Sequence, residues 1–598
     1  MRIGIAQINT VPGAFGQTVE RMVAQSQRAA EQQVELLVFP LAALAGTEPV
    51  PFADRPAFMH DVADALATLA ERLACPAIVP VPMDLDRPEG AFDAMLVEDG
   101  EVRLLRSSRR PQGPVGGEEH ELTEFVHAEA RLALALTYDD LDALDDYDYD
   151  VDAVVYLSGC PFAMDDPSSA MAANCENGRF VDDAQSAHAW LVGVASVGGY
   201  GDQVFTGSSF VMDPEGNLVA TAPAFEEALL VADVGSSEED FPRDTVPPEV
   251  FDAPFHLWQA LVLGIHDFVA KQGYADVALC LDGSLASLVL AALASDALGP
   301  LHVHVLIGAS AGAAAAACRE FAQRLRVDAT SAAGHPQSLD LRDLDELELA
   351  ALARSLGALP LAAWDKTALA LGAAPVGLSA ATFCPLGDVY RSDVLDMAHV
   401  RNTISPIFRR VGLTEVDALT LVMPDGSERA IRNEQEITRV DEILLGYIEY
   451  DRPLASLVAD DSAEAELICA VLRTFREGEL MRRRMPATLA MSTRTLDEGR
   501  FPLSTSWHDE YPDGFEDALL EGERREDGAA GESPKYRKAV PAPDIEGTMA
   551  MLRDLAEQGG FVPPNLAEFV RGSLNSDDSD THPSAAEVMA WMTPFSEN

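Results

Sequence analysis

The chain has 598 residues, more than one hydrophobic core usually organises, and this length predicts two or three domains. A hydrophobic fraction of 48%, with 42 Gly and 37 Pro spread along the chain, excludes a disordered, collagenous or coiled-coil protein. The net charge of −56 repels nucleic acid and anionic membranes, so neither is expected as a partner.

The first part of the chain alternates apolar segments typical of strands with a helical segment at 18–33. Two of these segments are predicted hairpins, one turning at Asp99-Gly100 and the other at Asp213–Gly216. Strands that alternate with helices and carry added hairpins indicate a layered α/β domain over residues 1–236. The predicted strands and hairpins lie at 1–9, 35–40, 77–82, 92–105, 131–137, 152–157, 190–197 and 208–220.

Residues 237–255 are polar and Pro-rich, which is typical of a linker. The segment 256–505 then opens with apolar strands and helices in the order of parallel strands joined by crossover helices, and such sheets bind ligands at the carboxyl ends of their strands. An acidic tail, 506–598, is predicted to be partly disordered, with weakly amphipathic helices at 545–558 and 584–593. The elements predicted after the linker are helices 256–272, 285–297 and 311–325 and strands 277–281 and 302–308.

Compartment and metal content follow from what the sequence lacks. No apolar run approaches the ~20 residues of a membrane span, and residues 1–20 lack a basic segment followed by an apolar one. The seven Cys form no C-x-x-C pair, so neither a disulfide framework nor a zinc site is expected. We therefore expect a cytoplasmic protein with no structural metal.

Several segments occur in an order met in one known family. They are MRIGIAQIN (1–9), LLVFP (36–40), SGCPF (158–162), VGGYGDQVFTGSSFVMD (197–213), ALASDALGPLHVHVL (292–306), AWDKTALALG (363–372), FCPLGDVYRSDV (383–394), RVDEILLGYIEYDRPLASLV (439–458) and RRRMPATLAMSTR (482–494). Their order resembles glutamine-dependent NAD+ synthetases over about residues 1–505. The resemblance implies an N-terminal nitrilase-like (carbon–nitrogen hydrolase) α-β-β-α sandwich. It also implies a C-terminal doubly wound parallel sheet of the ATP-pyrophosphatase type (adenine nucleotide alpha hydrolase-like), and a homo-oligomer.

The family's amidase domain uses three side chains, and the resemblance places each of them in this sequence. A Glu acts as general base, a Lys stabilises the oxyanion, and a Cys thiolate attacks the amide carbonyl of glutamine. Here these positions hold Leu41, Ser107 and Tyr138, while the second family Glu corresponds to Glu118. The three principal catalytic roles are therefore expected to be vacant.

Two neighbouring residues are candidates for replacing the missing groups. Arg109 carries a cation, but a guanidinium is wider than an ammonium and is aimed differently. Cys160, in SGCPF, is either a relocated nucleophile or a small buried apolar residue, and the second interpretation is favoured because free Cys is usually buried.

The family's pyrophosphate loop, S-G-G-x-D-S, corresponds to residues 282–287. In the family, backbone N–H groups of this loop cradle phosphates and its Asp helps to hold Mg2+. A degenerate nucleotide site here consists of Asp282, Gly283, Ser284, Ala286 and Ser287, so an acid replaces the first Ser and Ala286 replaces the metal-binding Asp. Two negative charges about 4 Å apart repel by roughly 4 kcal/mol at an effective dielectric constant near 20. ATP and Mg2+ are implied by the resemblance, but we expect them to bind poorly or not at all.

Two further family positions keep their residue type. Lys366 remains in the motif that reads T-G-N-K-S-E in the family, where Ala368 replaces the Glu, and Asp388 matches an acid of the P-x-x-D-x-Y-K pattern. These residues are either a remnant pocket for a nucleotide or dinucleotide, or a solvated Lys and a helix-capping Asp.

Residues 139–152 contain eight Asp. A calcium site is not favoured, because the Gly and the bidentate Glu of an EF-hand are absent. The run predicts a solvated acidic loop, with a partner-binding loop as the alternative.

Three functions remain open from the sequence. The first is a catalytically degenerate homologue that acts by binding, as a scaffold or through its tail. The second is an active NAD+ synthetase, or another ATP-dependent amidotransferase, with relocated catalytic residues. The third is a regulatory subunit that joins an active paralogue in a hetero-oligomer. Replacements in two separate sites favour the first.

Overall fold

The computed structural model describes residues 1–47, 52, 55–84, 91–106, 123–142, 144, 150–235, 245–332, 341–374, 379, 381–460, 464–498 and 502–503. Met1–Tyr511 form one compact unit. The tail with its two predicted helices and part of the predicted linker lie outside the described residues, and the domain boundaries at 236, 256 and 505 stay predictions. In the described part of the chain, no helix is long and apolar enough to cross a membrane. The cytoplasmic location stays a prediction.

The first domain consists of two six-stranded sheets. The first sheet has the order β14-β1-β2-β3-β4-β5 and the second the order β13-β12-β9-β8-β7-β6, while β10 and β11 form a separate antiparallel pair. The strands are β1 Arg2–Gln7, β2 Leu36–Val38, β3 Ala77–Asp84, β4 Ala91–Glu98, β5 Glu101–Arg106, β6 Thr123–His127, β7 Ala130–Ala135, β8 Ala153–Ser158, β9 Trp190–Ala195, β10 Val197–Tyr200, β11 Gln203–Thr206, β12 Phe210–Met212, β13 Leu218–Thr221 and β14 Ala228–Asp233.

Apolar side chains on facing sides of the two sheets form one core, in which Ile5 and Val38 of the first sheet meet Val155 and Val192 of the second. The outer face of the first sheet packs on α1 and α2, and the outer face of the second packs on α4 and α5. The predicted α-β-β-α sandwich is therefore confirmed. The helices of this domain are α1 Phe15–Glu31, α2 Pro56–Arg72, α3 Tyr138–Asp142, α4 Met171–Glu176 and α5 Arg179–Ala187.

Both predicted hairpins are confirmed, since β4 pairs with β5 and β12 with β13. The helix predicted at 18–33 runs from Phe15 to Glu31. The strand predicted at 190–197 is confirmed over Trp190–Ala195, but a second strand, β10, which belongs to a different sheet, begins at Val197.

The second domain contains a parallel sheet with the order β17-β16-β15-β18-β19-β22. Helices cover both faces, with α6 and α7 on one side and α9 on the other, as in a doubly wound fold. Its strands are β15 Val277–Leu281, β16 Val303–Ile307, β17 Asp328–Ser331, β18 Leu359–Leu361, β19 Phe383–Cys384, β22 Ala487–Thr488 and the separate antiparallel pair β20 Leu419–Val422 and β21 Glu428–Ile431. The predicted parallel sheet is confirmed.

The first helix of this domain begins earlier than predicted. Asp252 accepts a hydrogen bond from Phe255 N at 2.9 Å and so starts α6 inside the predicted linker. The helices are α6 Ala253–Lys271, α7 Leu285–Leu298, α8 Ala315–Leu325, α9 Leu341–Leu356, α10 Lys366–Ala370, α11 Arg391–Ile404, α12 Glu434–Ile448, α13 Leu454–Asp460, α14 Ala465–Glu477 and α15 Glu479–Arg482.

Strand order decides where a pocket can form. The chain leaves β15 towards β16 on one side, and β18 lies on the other side of β15. Crossover connections on opposite sides of a strand leave a crevice at the carboxyl end of the sheet. The loop at 282–284 lies at that crevice.

Candidate functional site

Tyr138, which the resemblance places at the position of the family nucleophile, is the first residue of α3. Its hydroxyl donates to Ser168 O at 3.0 Å and accepts from Asn174 Nδ2 at 2.9 Å. Its ring lies 5.5 Å from the ring of Tyr156, and the guanidinium of Arg179 lies 4.3 Å from its centroid. Burial raises the pKa of Tyr138 to about 12, so the phenol stays neutral near neutral pH.

Leu41 is the residue that the resemblance places at the position of the family general base. It is 6% exposed and contributes to the core between the two sheets. A Cβ on Gly159 would lie 3.0 Å from Leu41 Cδ1, so the side chain reaches the end of β8. A leucine there cannot accept a proton. Ser107, Arg109 and Glu118 lie outside the described residues.

Cys160 follows β8 and is partly buried. Burial raises the pKa of its thiol, which reduces the thiolate fraction at neutral pH. Reactive cysteines have the opposite perturbation, so this environment fits a packed thiol rather than a nucleophile.

In the second domain, the loop between β15 and α7 is closed by its own side chains. Asp282 Oδ1 accepts from Ser284 N at 2.9 Å and from Ser284 Oγ at 2.6 Å. Ser284 Oγ in turn accepts from Ser287 N at 3.2 Å, and Ser287 Oγ donates to Ser284 O at 2.9 Å. Ala286 is buried and carries no ligand atom. The predicted loop residues are thus brought together, but their polar groups are used within the loop.

This loop borders a cavity of about 110 Å3 at the carboxyl ends of β15, β16 and β18. Among the described residues, five of the seven charged side chains that line this cavity are acidic. The charged lining residues are Asp282, Asp345, Glu346, Asp365, Asp417, Arg342 and Arg391.

Arg391 is held by its neighbours in the cavity wall. Its Nε donates to Asp365 Oδ2 at 2.8 Å, and another of its nitrogens donates to the carbonyl of Asp417. The guanidinium is therefore already hydrogen-bonded to groups of the chain itself.

Two carboxylates accept hydrogen bonds from backbone N–H groups at the carboxyl ends of the strands. Asp417 accepts from Leu285 N at 3.0 and 3.2 Å, at the start of α7. Asp345 accepts from Ala309 N at 2.6 Å and from Ser310 N at 3.0 Å, just after β16. Sequence reasoning missed both acids, because each is distant in sequence from the amides it binds.

ATP with Mg2+ does not fit the groups around this cavity. Asp282 is hydrogen-bonded to the loop, Ala286 offers no oxygen for a cation, and Arg391 is paired with Asp365. Among the described residues, no group of three or more His, Cys, Asp or Glu has the arrangement of a metal site.

Lys366 is fully buried, at 0% exposure, and the interpretation as a solvated lysine is wrong. Its Nζ lies 2.6 Å from Asp388 Oδ1 and 2.6 Å from Glu449 Oε1, and it donates to Ser492 Oγ at 2.8 Å. Burial alone would lower the pKa of Lys366, but the two carboxylates raise it above its ordinary value.

Asp388 does not cap a helix, so that interpretation is also wrong. Its Oδ2 accepts from Met491 N and Ser492 N, both at 2.8 Å. Lys366 and Asp388 therefore connect α10 to the segment after β22. Glu449 and Ser492 lie in segments that carry the resemblance, but no local pattern marks them as partners of Lys366.

A second cavity, of about 250 Å3, lies beside this ion cluster. Asp393 and Asp441 line it together with Met164 and Asp165 of the first domain. Asp441 accepts from Thr367 Oγ1 at 2.6 Å. Burial raises the pKa of each of the two lining carboxyls, Asp393 and Asp441, to about 7.

Comparison with known proteins agrees with this architecture. Residues 182–241 match the carbon-nitrogen hydrolase family. The glutamine-dependent NAD(+) synthetase of Acinetobacter baylyi is 23% identical over 545 residues, covering 85% of this chain and 98% of that protein. The synthetase of the same name from Rhodobacter capsulatus is 26% identical over 504 residues, covering 78% of this chain and 90% of that protein.

Solved structures show the same fold. The glutamine-dependent NAD+ synthetase of Acinetobacter baumannii, in complex with ADP, has a TM-score of 0.56 at 22% identity and covers 85% of this chain and 99% of its own. The Cytophaga hutchinsonii synthetase has a TM-score of 0.64 at 13% identity and covers 87% and 99%. Similarity in sequence and fold over most of both chains makes this protein a homologue of the glutamine-dependent NAD(+) synthetases, with a carbon–nitrogen hydrolase-type domain followed by a synthetase-type domain.

Proposed function

We propose that this chain is a noncatalytic homologue of glutamine-dependent NAD+ synthetases that acts by binding, as a scaffold or regulatory protein. The observation that carries the proposal is Tyr138. It occupies the position of the family nucleophile as a neutral phenol whose hydroxyl is already bonded to Ser168 and Asn174. A phenol with a pKa of about 12 and two hydrogen-bond partners is a poor nucleophile near neutral pH.

Leu41 supports the same conclusion, because an apolar side chain packed in the sandwich core removes the base that would activate a nucleophile. Cys160 does not compensate, since burial raises the pKa of its thiol. At these described positions the first domain has neither the base nor the thiolate that an acyl-enzyme with glutamine, and so the release of ammonia, would require.

The second domain supports the proposal independently. Asp282 directs its carboxylate into the loop that would hold phosphates, and Ala286 supplies no ligand for a cation. Synthesis of NAD+ from deamido-NAD+ requires activation by ATP, for which this arrangement is unsuited.

The retained sandwich and parallel sheet suit assembly with a related chain. We propose a homo-oligomer, or a hetero-oligomer with an active paralogue in which this chain is the regulatory subunit. Co-purification of the tagged chain from its native cell tests the second arrangement. An active synthetase in the eluate supports it, and its absence from repeated pull-downs contradicts it.

The test of the noncatalytic proposal uses two assays on the purified full chain, with the Acinetobacter baylyi relative assayed in parallel. One assay follows ammonia released from glutamine, and the other follows NAD+ formed from deamido-NAD+, ATP, Mg2+ and ammonium. We expect product from the relative and none from this chain. Turnover that is abolished by Tyr138→Ala or by Ser287→Ala would overturn the proposal.

Mass spectrometry provides the check on a relocated nucleophile. After incubation with glutamine, we expect the peptide that contains Cys160 to keep its unmodified mass. A glutamyl thioester on Cys160 would instead identify an active amidase.

A further inference from the structure

We propose that Asp345 and Asp417 are specificity-determining residues of the second domain, whose carboxylates take the places that phosphate groups would need in the strand-end cavity. The inference deepens the proposed function and rests on it, because it assumes that this cavity is the former nucleotide site. It adds a reason for the loss of nucleotide binding that lies outside the loop 282–287.

The first place is the start of α7. The first N–H groups of a helix have no partner within the helix, and the helix dipole favours a negative charge there. Such a terminus binds phosphate readily. Here both oxygens of Asp417 lie on Leu285 N, at 3.0 and 3.2 Å. The carboxylate also accepts from Thr414 N at 2.7 Å and from Thr414 Oγ1 at 2.8 Å, so it is fixed in position.

The second place is the turn after β16. Successive N–H groups that point the same way form an anion-binding concavity. Asp345 of α9 bridges two of them, Ala309 N and Ser310 N, with one oxygen on each, at 2.6 and 3.0 Å. A Cβ on Gly308 would lie 2.6 Å from Asp345 Oδ2, so only a glycine lets the carboxylate come this close.

Both carboxylates are buried rather than exposed at the surface. Asp345 is 4% exposed and Asp417 is 3% exposed. To bind here, pyrophosphate would have to replace the two carboxylates as the hydrogen-bond acceptor of these N–H groups. The carboxylates would still lie nearby, and their negative charges would repel it. Arg391 pairs with Asp365 and donates to the carbonyl of Asp417, so its charge is shared with groups of the chain itself. The two carboxylates therefore oppose the binding of polyphosphate in this cavity.

The test measures binding of inorganic pyrophosphate by isothermal titration calorimetry at neutral pH. The double variant Asp345→Ala/Asp417→Ala frees the backbone N–H groups and removes two negative charges. Glu428→Gln, at an exposed position on β21, is the matched charge control. We expect no measurable binding by the wild type or by the control. The double variant should bind at least about tenfold more tightly than the weakest affinity that the titration detects. A folded double variant that binds no better than the wild type overturns the inference.

Hydrogen exchange on the wild type decides the matter if the double variant does not fold. We expect the amides of Leu285, Ala309 and Ser310 to be protected without any ligand, and pyrophosphate to leave their exchange unchanged. Unprotected amides, or exchange that pyrophosphate slows, overturn the inference. Pyrophosphate binding by a wild type that has no turnover contradicts this inference alone, whereas turnover contradicts the proposed function.

Discussion

At the scale of single residues, burial decides whether a charged side chain is a surface group or part of the structure. Lys366 has no exposed surface and faces Asp388 and Glu449, both at 2.6 Å. Two buried carboxylates that share one ammonium depend on it, because an unpaired charge in the interior is costly. Lys366 is thus a structural residue joining α10, α12 and the segment after β22.

We predict that Lys366→Met lowers the free energy of unfolding by about 3–5 kcal/mol, the usual cost of removing one partner from a buried ion pair. Urea unfolding, followed by the tryptophan fluorescence of the whole chain, measures the change. Arg354→Met, at an exposed position of α9, is the control and should cost little. Adding Glu449→Gln to Lys366→Met should recover part of the loss. A change below about 1 kcal/mol for Lys366→Met would contradict the structural role.

At the scale of elements, the turn between β15 and α7 packs closely against Ala314, the residue that precedes α8. Gly283 has φ +90°, and a Cβ there would lie 2.7 Å from Ala314 Cβ. Because Gly283 has no side chain, the turn and the segment at Ala314 can approach each other closely. Glycine also allows the backbone conformation of the turn.

Gly283→Ala is predicted to destabilise the second domain through two separate contributions. A left-handed backbone conformation costs an L-residue about 1–2 kcal/mol, and the contact with Ala314 adds to that cost. Gly273→Ala is a matched control, because Gly273 has φ +82° and nothing within 4 Å of the added Cβ. Thermal unfolding should therefore show a larger loss for Gly283→Ala, which Ala314→Gly partly reverses. Equal losses at the two glycines would argue against the packing contribution.

At the scale of the whole molecule, the net charge of −56 makes stability sensitive to where carboxyl groups lie. Asp393 and Asp441 border the cavity of about 250 Å3 between elements of both domains. Burial raises the pKa of Asp393 to about 7, and the neighbouring charges of Asp441, Asp396 and Glu449 act in the same direction, while Lys366 opposes them. These carboxyls stay protonated in the folded protein at pH values where exposed carboxyls are ionised.

This shift predicts how stability changes with pH. Because the folded-state pKa of Asp393 is raised, the folded chain binds more protons than the unfolded chain between about pH 4 and 7. The contribution is complete below about pH 4 and is lost as pH rises through about 7. Asp393→Asn mimics the protonated side chain, so the fall in unfolding free energy between pH 5 and about 7.5 should be smaller than in the wild type. Parallel pH curves for the two proteins, with Glu428→Gln as the exposed control, would contradict this.

The sequence alone determined most of the first-domain strands, the first elements of the parallel sheet, the two hairpins, and the residue types at the positions that the resemblance marks. Hydrophobic periodicity and turn residues depend on only a few neighbouring positions. Strands, helices and hairpins can therefore be predicted from them without a structure. The residue types at three of these positions, Leu41, Tyr138 and Ala286, are themselves a reason to expect that catalysis is lost. A leucine side chain has no proton acceptor and an alanine side chain has no ligand atom in any fold.

Only the tertiary structure decided which groups meet across long stretches of chain. Lys366 pairs with Glu449, 83 positions away, and Leu285 N is bound by Asp417, 132 positions away. Such pairs depend on how strands and helices pack, and they leave no local pattern in the sequence. For the same reason the sequence left open whether Lys366 belongs to a remnant pocket or is solvated. The folded chain instead contains a buried ion cluster around Lys366, and its own carboxylates accept hydrogen bonds from the amides of Leu285, Ala309 and Ser310.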